Sequence, residues 1–378
     1  MSMFRTLVLA SVVASASFVH AVELKPTTAD KKYSNLVNDL GHKSFRIRKA
    51  AESKLLDLGL KARKALKAGL QKPDLEVRMR AHNILLRISQ RDTEKKLSAF
   101  MQGDDKIGAK LPGWTKLKKI IGDEVDSRKL YVKMMRAESD LFDAFESDSP
   151  LVLSRYRRRL DTIRYSNLYR TGSAGIDSVA AVLVVGALSN IKLNSSQISN
   201  IYYLLISNKY RTYLQKKNAH STRLRIIIEY WMVRNSAGFS SYYMLQMAMR
   251  LNLKNGGLKV ARRALAKRRS TYSYTMLYAA LVIGRFGNKK DDIPILEDQL
   301  NNTFVCYRSS RATIQVRDVC LAVLVELTKQ KHRDYNFKNL RKSTQTLFYY
   351  TSIKFETPDD RDKAIAKWRK WSKENLKS

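Results

Sequence analysis

Residues 74–88 have the sequence DLEVRMRAHNILLRI, and this stretch decides the fold class. Asp74 stands where a helix N-cap would stand, because its carboxylate can accept the free backbone N–H groups of a first turn. Behind it, apolar residues recur three and four positions apart, as on one face of an α-helix. They are Val77, Ala81, Ile84, Leu85 and Ile88. The stretch therefore predicts a capped helix with one buried face.

The same helical periodicity recurs along most of the chain, whereas the strict alternation that marks strands is almost absent. Ser44 is placed to cap a helix that ends at Gly59, and residues 62–70 form a second, shorter helix. Residues 146–176 instead look irregular, with a loop or boundary at 172–175. Further helices are predicted at 177–190, 196–207, 221–235, 240–252, 257–268, 271–286, 292–301, 315–330, 339–350 and 358–376. The sequence therefore predicts an all-α protein.

Paired amphipathic helices cannot bury both faces alone, so neighbouring pairs are expected to stack. The pattern of Asp74, Val77, Arg78, Arg80 and Ala81 resembles the second helix of a HEAT repeat. In such repeats the arginine commonly binds backbone carbonyls or acids, so the resemblance implies a structural role for Arg78. The expected fold is a HEAT-like α-solenoid of stacked helix pairs.

Three further stretches extend this resemblance. They are residues 111–145 (LPGWTKLKKIIGDEVDSRKLYVKMMRAESDLFDAF), 314–337 (IQVRDVCLAVLVELTKQKHRDYNF) and 359–371 (DDRDKAIAKWRKW). Together with the N-terminal repeat, they are similar to secreted HEAT-repeat proteins of the planctomycete type. This likeness implies export and an α-solenoid, and it brings no established activity. Cys320 and Asn336 stand where the family pattern would have alanine and glycine.

These patterns divide the chain into five segments. The segments are a signal peptide at 1–21, an N-terminal linker at 22–34, a HEAT-like repeat at 35–100, a helical segment around Trp114 with a Ser- and Gly-containing loop at 101–176, and a helical repeat domain at 177–378.

The N terminus has the organisation of a secretory signal peptide. Arg5 supplies a positive charge, residues 6–18 are apolar or small, and residues 19–21 have the small-x-small form that precedes cleavage between Ala21 and Val22. The apolar run is shorter than the roughly 20 residues that cross a bilayer. We therefore expect an exported protein, periplasmic or secreted, without a transmembrane segment.

The charge of the chain is strongly positive. It has 71 Lys and Arg against 34 Asp and Glu, a formal net charge of +37. Such an excess favours anionic partners, which include nucleic acid, envelope polyanions and acidic proteins. Export argues against cytoplasmic nucleic acid, so an acidic protein or an envelope polyanion is the expected partner.

Three basic clusters are candidate binding residues. They are Lys61, Lys64 and Lys67; Arg157, Arg158 and Arg159; and Arg262, Arg263, Lys267, Arg268 and Arg269. A solvated helix face often looks like this, so each cluster taken alone also fits an ordinary surface. The total excess of charge favours binding over that simpler interpretation.

Tyrosine is abundant, with 19 residues, and it occurs in the pairs Tyr202-Tyr203, Tyr242-Tyr243 and Tyr349-Tyr350. Adjacent helical residues point about 100° apart, so one ring of each pair can enter the core while the other stays wet. The alternative is a groove lined by tyrosine and arginine that stacks on sugars or bases.

No motif for catalysis, metal or cofactor is present. The sequence has no phosphate cradle, no dinucleotide-binding turn, no zinc-protease helix and no nucleophile elbow. The histidines beyond the signal peptide are far apart, which gives no metal-ligand spacing. The acid pairs Asp104-Asp105, Asp123-Glu124, Asp291-Asp292 and Asp359-Asp360 all stand at predicted helix starts. There a carboxylate serves as a cap. We therefore expect no catalytic residue, no metal and no cofactor.

Cys306 and Cys320 are the two cysteines of the chain. An even number in an exported protein makes a disulfide between them possible. Alternatively, Cys320 is a small buried hydrophobe on a helix face.

Three functions are consistent with the sequence. The first is an exported, non-enzymatic helical-repeat protein, a scaffold or interaction protein that binds an anionic or acidic partner in the cell envelope. The second is a nucleic-acid-binding HEAT-like protein with a role resembling DNA repair. The third is an enzyme acting on an envelope polymer, which the absence of catalytic motifs from the sequence disfavours.

Overall fold

The computed structural model describes residues 28–146, 151–169, 175–267, 272–310 and 312–376. The signal peptide and its cleavage point at Ala21 and Val22 lie outside these ranges, as do residues 22–27 of the predicted linker. The described chain is mostly helical, which confirms the predicted class at this coarse level. It divides into two compact units, Met1–Ser98 and Ala99–Ser378. Within the described ranges no helix combines the length and the apolar character that a membrane span requires.

Unit 1 is built from helices around one apolar core. They are α1 (Thr28–Asn38), α2 (Phe45–Leu58), α3 (Arg63–Gly69) and α4 (Leu75–Met101), whose end belongs to unit 2. The core residues are Val37, Leu40, Ala51, Leu55, Ala62, Leu66, Val77, Ala81, Ile84 and Ile88. The apolar face predicted from residues 74–88 is therefore the face that packs.

Of the three helix ends that the sequence predicts in unit 1, two are confirmed. The Asp74 carboxylate accepts the backbone N–H groups of Glu76 (2.8 Å) and Val77 (3.3 Å), so the predicted N-cap of α4 is confirmed. Gly59 ends α2 with a φ of +57°, a conformation that glycine adopts without steric cost. Ser44 precedes α2, but its hydroxyl makes no capping bond.

Two arginines close the loops in front of their own helices. Arg78 on α4 donates from Nη1 to the carbonyls of Lys72 (2.8 Å) and Pro73 (2.6 Å). Arg48 on α2 does the same to His42 (2.8 Å) and Lys43 (2.9 Å). Arg78 therefore has the structural role that the resemblance implied. We call Arg48 and Arg78 the loop-closing arginines.

Unit 2 contains the remaining elements. Its helices are α5 (Asp105–Gly108), α6 (Trp114–Ile121), α7 (Val125–Glu146), α8 (Val152–Tyr169), α9 (Ile176–Leu188), α10 (Ser195–Ile206), α11 (Asn208–Leu214), α12 (Ala219–Asn235), α13 (Ser240–Leu251), α14 (Lys254–Leu265), α15 (Ser273–Phe286), α16 (Lys289–Asp298), α17 (Val316–Leu327) and α18 (Pro358–Asn375). Two antiparallel hairpins, β1 (Val305–Ser309) with β2 (Ala312–Gln315) and β3 (Lys342–Ser343) with β4 (Leu347–Phe348), complete it.

Three of these helices form the centre of unit 2. Most residues of α9, α15 and α17 are buried on every side, because these helices are apolar all round rather than along one stripe. Helix α9 packs on α7 and α12, while α15 packs on α13, α14 and α17. The amphipathic helices around them carry the charged side chains.

The prediction that residues 146–176 are irregular is wrong, because α8 spans most of that range. Its buried residues Val152, Tyr156, Leu160 and Ile163 are spaced as one helix face. The run of arginines between them masked this spacing. Residues 170–174 lie outside the described ranges, so the boundary predicted at 172–175 is not described.

The helix predicted at 339–350 is also wrong, because β3 and β4 occupy this segment. The Ser343 hydroxyl accepts the backbone N–H groups of Gln345 (3.3 Å) and Thr346 (3.1 Å), which offers the backbone a turn in place of a helix. Leu347 then adopts a left-handed φ of +68°. Between Cys306 and Cys320 the chain forms the turn of the β1–β2 hairpin and its second strand, β2.

Candidate functional site

The predicted basic residues of unit 1 lie on its surface. Lys61, Lys64 and Lys67 are exposed, and they project away from the buried side chains of Ala62 and Leu66. Their role in binding stays a prediction.

The arginines of α8 divide into two kinds. Arg157 and Arg158 are exposed, as expected for a binding surface. Arg159 instead pairs with the buried carboxylate of Glu138 on α7, with Nε 2.6 Å and Nη2 2.5 Å from Oε1. Its Nη2 also lies 3.4 Å from the Ser178 hydroxyl on α9. Arg159 therefore joins three helices of unit 2.

The basic cluster on α14 also contributes to the interior. Arg262 donates two hydrogen bonds to the fully buried carboxylate of Asp292, at 2.8 Å and 3.0 Å, and these bonds raise the pKa of Arg262. Arg263 donates to the carbonyl of Val233 (3.1 Å) and to the hydroxyl of Ser236 (3.3 Å). Lys267 is exposed, whereas Arg268 and Arg269 lie outside the described ranges.

A first cleft of about 620 Å³ opens between α11, α12 and α13, and we call it the first cationic cleft. Among the described residues, its lining includes five positive side chains and no Asp or Glu: Arg211, Lys216, Lys217, Arg225 and Arg250. Arg225 is half-buried and donates to the carbonyls of Leu251 (2.9 Å) and Asn252 (2.5 Å), which closes the end of α13. Arg211, Lys216, Lys217 and Arg250 have exposed side chains. They give the cleft a positive potential.

A second cleft, of about 630 Å³, lies beside the other half of α12. Its described lining combines Lys119, Arg234, Lys259 and Arg263 with one acid, Glu229. The Glu229 carboxylate accepts the backbone N–H of Asn255 (3.0 Å) at the start of α14. The second cleft is therefore also net positive, with its acid engaged in a hydrogen bond.

Ten aromatic rings form a continuous network on unit 2, which we call the tyrosine strip. They are Tyr202 and Tyr203 of α10, Phe239, Tyr242 and Tyr243 at α13, Tyr272, Tyr274 and Tyr278 at α15, Tyr307 of β1 and Tyr350. Contacting ring centroids are 4.6–6.3 Å apart, with interplanar angles of 39–82°. Tilted and edge-to-face contacts of this kind are favourable for aromatic rings.

The rings of the strip differ in exposure. Tyr203 is 59% exposed and Phe239 is 36% exposed, whereas Tyr202 is buried. Burial raises the pKa of Tyr202 to about 12 and also raises the pKa of Tyr242, so both phenols keep their protons at neutral pH. The Tyr202 hydroxyl donates to Gln246 Oε1 (2.6 Å), and Gln246 Nε2 donates to the Tyr242 hydroxyl.

One face of α13 joins the strip to the first cationic cleft. Tyr242, Gln246 and Arg250 follow one another at four-residue spacing, which places them one above the next on the helix. Arg250 lines the cleft, and its positive charge acts to lower the pKa of Tyr202, against the larger effect of burial. The strip and the cleft are therefore adjacent parts of one surface.

A chain of hydrogen bonds links Asp177, His220 and Tyr213 near the same cleft. His220 Nε2 lies 2.9 Å from Asp177 Oδ1, and Nδ1 lies 2.7 Å from the Tyr213 hydroxyl. In a neutral imidazole, a carboxylate at Nε2 favours the tautomer with the proton on that nitrogen, in which Nδ1 accepts from Tyr213. Burial, and then the charge of Asp177, raise the pKa of Tyr213, so this phenol stays protonated and is a poor nucleophile.

Cys306 and Cys320 are free, buried thiols in the structure, so the possible disulfide is not formed there. Cys306 Sγ donates to the carbonyl of Ile314 (3.3 Å), and burial raises its pKa to about 12. Burial also raises the pKa of Cys320. In the part of the chain that the structure describes, no group of three or more His, Cys, Asp or Glu is placed to hold a metal.

Comparison of the chain with models of protein families, with curated proteins and with solved structures found no match.

Proposed function

We propose that the protein is an exported, non-enzymatic helical-repeat protein that binds an anionic or acidic partner in the cell envelope, in the periplasm or outside the cell. The first cationic cleft is the observation that supports this most directly. Five positive side chains line it without an acid among its described residues, and four of the five are exposed. A cleft lined by one sign of charge focuses the field and attracts ions of the opposite sign.

The proposed architecture is a HEAT-like α-solenoid of stacked helix pairs. Helix packing in unit 2 supports it, because α13, α14 and α15 contact mainly helices that are close in sequence. The loop-closing arginines of unit 1 support it as well, since each makes the same bonds at the start of its own helix. Stacking of such units leaves long surfaces open for a partner.

Binding to inorganic polyphosphate tests the electrostatic mechanism, because this polymer has charge and no ring. We expect the affinity to fall steeply between about 50 mM and about 500 mM NaCl, since salt screens exposed charges. The variant K216Q/K217Q/R250Q should bind at least about tenfold more weakly.

A matched variant controls for total charge. K331Q/K370Q/K373Q removes the same number of positive charges from exposed positions of unit 2 outside the cleft, two of them on α18. We expect it to weaken binding by no more than about twofold. Equal losses in the two variants, or binding that ignores salt, would contradict the proposal. Cell fractionation with and without residues 1–21 tests export separately.

A second candidate is an enzyme that acts on an envelope polymer, and the Asp177–His220–Tyr213 chain is the observation that favours it. Two observations rank the enzyme second. The raised pKa of Tyr213 makes its hydroxyl a poor nucleophile, and the hydrogen bonds of the chain also join α9, α11 and α12. Incubation with peptidoglycan or an acidic polysaccharide tests it. Soluble fragments released by the wild type and lost in His220→Gln would identify an enzyme.

A further inference from the structure

We propose that the tyrosine strip and the first cationic cleft together bind an acidic polysaccharide, with sugar rings on the strip and their acidic groups in the cleft. This inference rests on the proposed function, because it takes the cleft as the anion site and names the class of polymer. The two parts are adjacent along α13, where Tyr242, Gln246 and Arg250 share one face.

The partial exposure of the strip provides a surface for sugar rings. Tyr203 and Phe239 present large exposed fractions, and Tyr243, Tyr272 and Tyr274 are partly exposed. A pyranose has apolar C–H faces that pack on an aromatic ring, while its hydroxyls need polar partners at the edges. Tyrosine supplies both, because its ring is apolar and its hydroxyl remains wet.

The polar groups within the strip complete this match. The hydroxyls of Tyr202 and Tyr242 are held in place by Gln246. The Tyr202 hydroxyl gives its one proton to Gln246, whereas the Tyr242 hydroxyl accepts from Gln246 and, because it stays protonated, also has an O–H to donate. Arg250, exposed one helical turn beyond Gln246, adds donors that suit a carboxylate or a sulfate.

The geometry of the rings favours sugars over nucleic-acid bases. Adjacent rings in the strip are inclined by 39–82° and lie in contact, so no parallel pair among these described rings leaves a slot for a flat base. Single-strand binders stack successive bases on separate aromatic faces, and rings inclined to one another do not present a run of parallel faces for such a stack. A run of rings from α10 to Tyr350 also suits a polymer rather than a single sugar, because separate residues of the polymer can contact separate rings.

Three probes distinguish the possible occupants: a polyuronate oligomer, inorganic polyphosphate and single-stranded DNA. The variant Y203L/Y243L removes two exposed or partly exposed rings of the strip. We expect it to bind the polyuronate about tenfold more weakly and polyphosphate unchanged within about twofold. Y165L is the control, because Tyr165 of α8 is 61% exposed, much like Tyr203, and lies outside the strip. It should bind both polymers as the wild type does.

The outcomes separate this inference from the proposed function. If K216Q/K217Q/R250Q weakens the binding of both polymers, while Y203L/Y243L weakens the binding of neither or of both equally, the anion site stands and the polysaccharide inference falls. If DNA binds more tightly than the polyuronate and loses this preference in Y203L/Y243L, the strip binds bases and the inference is also wrong. If the cleft variant binds polyphosphate as well as the wild type does, the proposed function itself fails.

A measurement on the wild type keeps the test independent of how the variants fold. Nitration of exposed tyrosines, followed by mass spectrometry, should be slowed at Tyr203 and Tyr243 by bound polyuronate and unaffected at Tyr165. Equal nitration of Tyr203 with and without the polyuronate would overturn the inference.

Discussion

The buried ion pair between Asp318 and Arg361 gives the sharpest test of how unit 2 is held together. Asp318 at the start of α17 is fully buried, and Arg361 on α18 donates to it from Nε (2.6 Å) and Nη2 (3.2 Å). The same carboxylate accepts the backbone N–H of Gln315 (2.8 Å). Replacing Arg361 by methionine removes the pairing charge and leaves the carboxylate buried.

The expected cost follows from that burial. An unpaired buried charge destabilises a protein by about 3–5 kcal/mol, so R361M should lower the free energy of unfolding by this amount. The double variant D318L/R361M removes both charges, and apolar replacements of a buried pair are often neutral. It still loses the bond to the Gln315 N–H, worth about 1 kcal/mol. The double variant should therefore be more stable than R361M alone.

Urea unfolding followed by tryptophan fluorescence measures these differences, because Trp368 is fully buried on the same helix α18. The control is D362A, which removes an exposed partner 3.3 Å from Arg317 on α17. An exposed pair is worth about 0–1 kcal/mol. If R361M cost no more than D362A, or if the double variant were the least stable, the reasoning from a desolvated pair would be refuted.

Three further results are expected. In Gly186→Ala the new Cβ would lie 2.7 Å from the Tyr156 hydroxyl, so thermal unfolding should show a free energy of unfolding lower by about 1–3 kcal/mol. Adding Tyr156→Phe should restore part of this stability, and a double variant no more stable than Gly186→Ala would contradict a clash with the hydroxyl. Burial lowers the pKa of His332 below its ordinary 6.5, so in acid the unfolded chain binds more protons than the folded one. The free energy of unfolding should therefore fall as the pH drops through 6.5. In urea titrations, His332→Gln should reduce this dependence of the free energy of unfolding on pH. The buried thiols Cys306 and Cys320 should react with a thiol reagent only after unfolding. If the unfolded, unreduced chain contained no reactive thiol, the two cysteines would instead form a disulfide.

The helical class could be predicted from the sequence because it depends on local spacing. Val77, Ala81 and Ile84 form one face whatever else they contact, and Asp74 caps a helix through bonds to its own neighbours. The same local reasoning failed at residues 339–350. There a side-chain hydroxyl, that of Ser343, competes for the backbone N–H groups, and a 3.6-residue spacing of apolar residues does not reveal this competition.

The candidate site could be predicted only in its parts. The abundance of positive charge and the tyrosine pairs are visible in the chain, but their grouping is not. Tyr203 lies on α10, Tyr242 and Tyr243 on α13 and Tyr274 on α15, and only the packing of these three helices brings the rings into contact. For the arginines, the sequence suggests more exposed charge than the fold leaves available. Arg159 and Arg262 look like surface charges, yet each pairs with a buried acid that only the fold brings near. Composition therefore indicates how much charge exists, and packing decides which charges are available.

The loop-closing arginines make each helix start complete in itself. Arg48 and Arg78 bind carbonyls five and six positions earlier in the chain, so these hydrogen bonds need no distant segment. A stretch of gene that encodes one such loop and helix would carry these hydrogen bonds with it when it is duplicated. Lengthening of this region by tandem duplication would thus leave the local geometry of every copy intact.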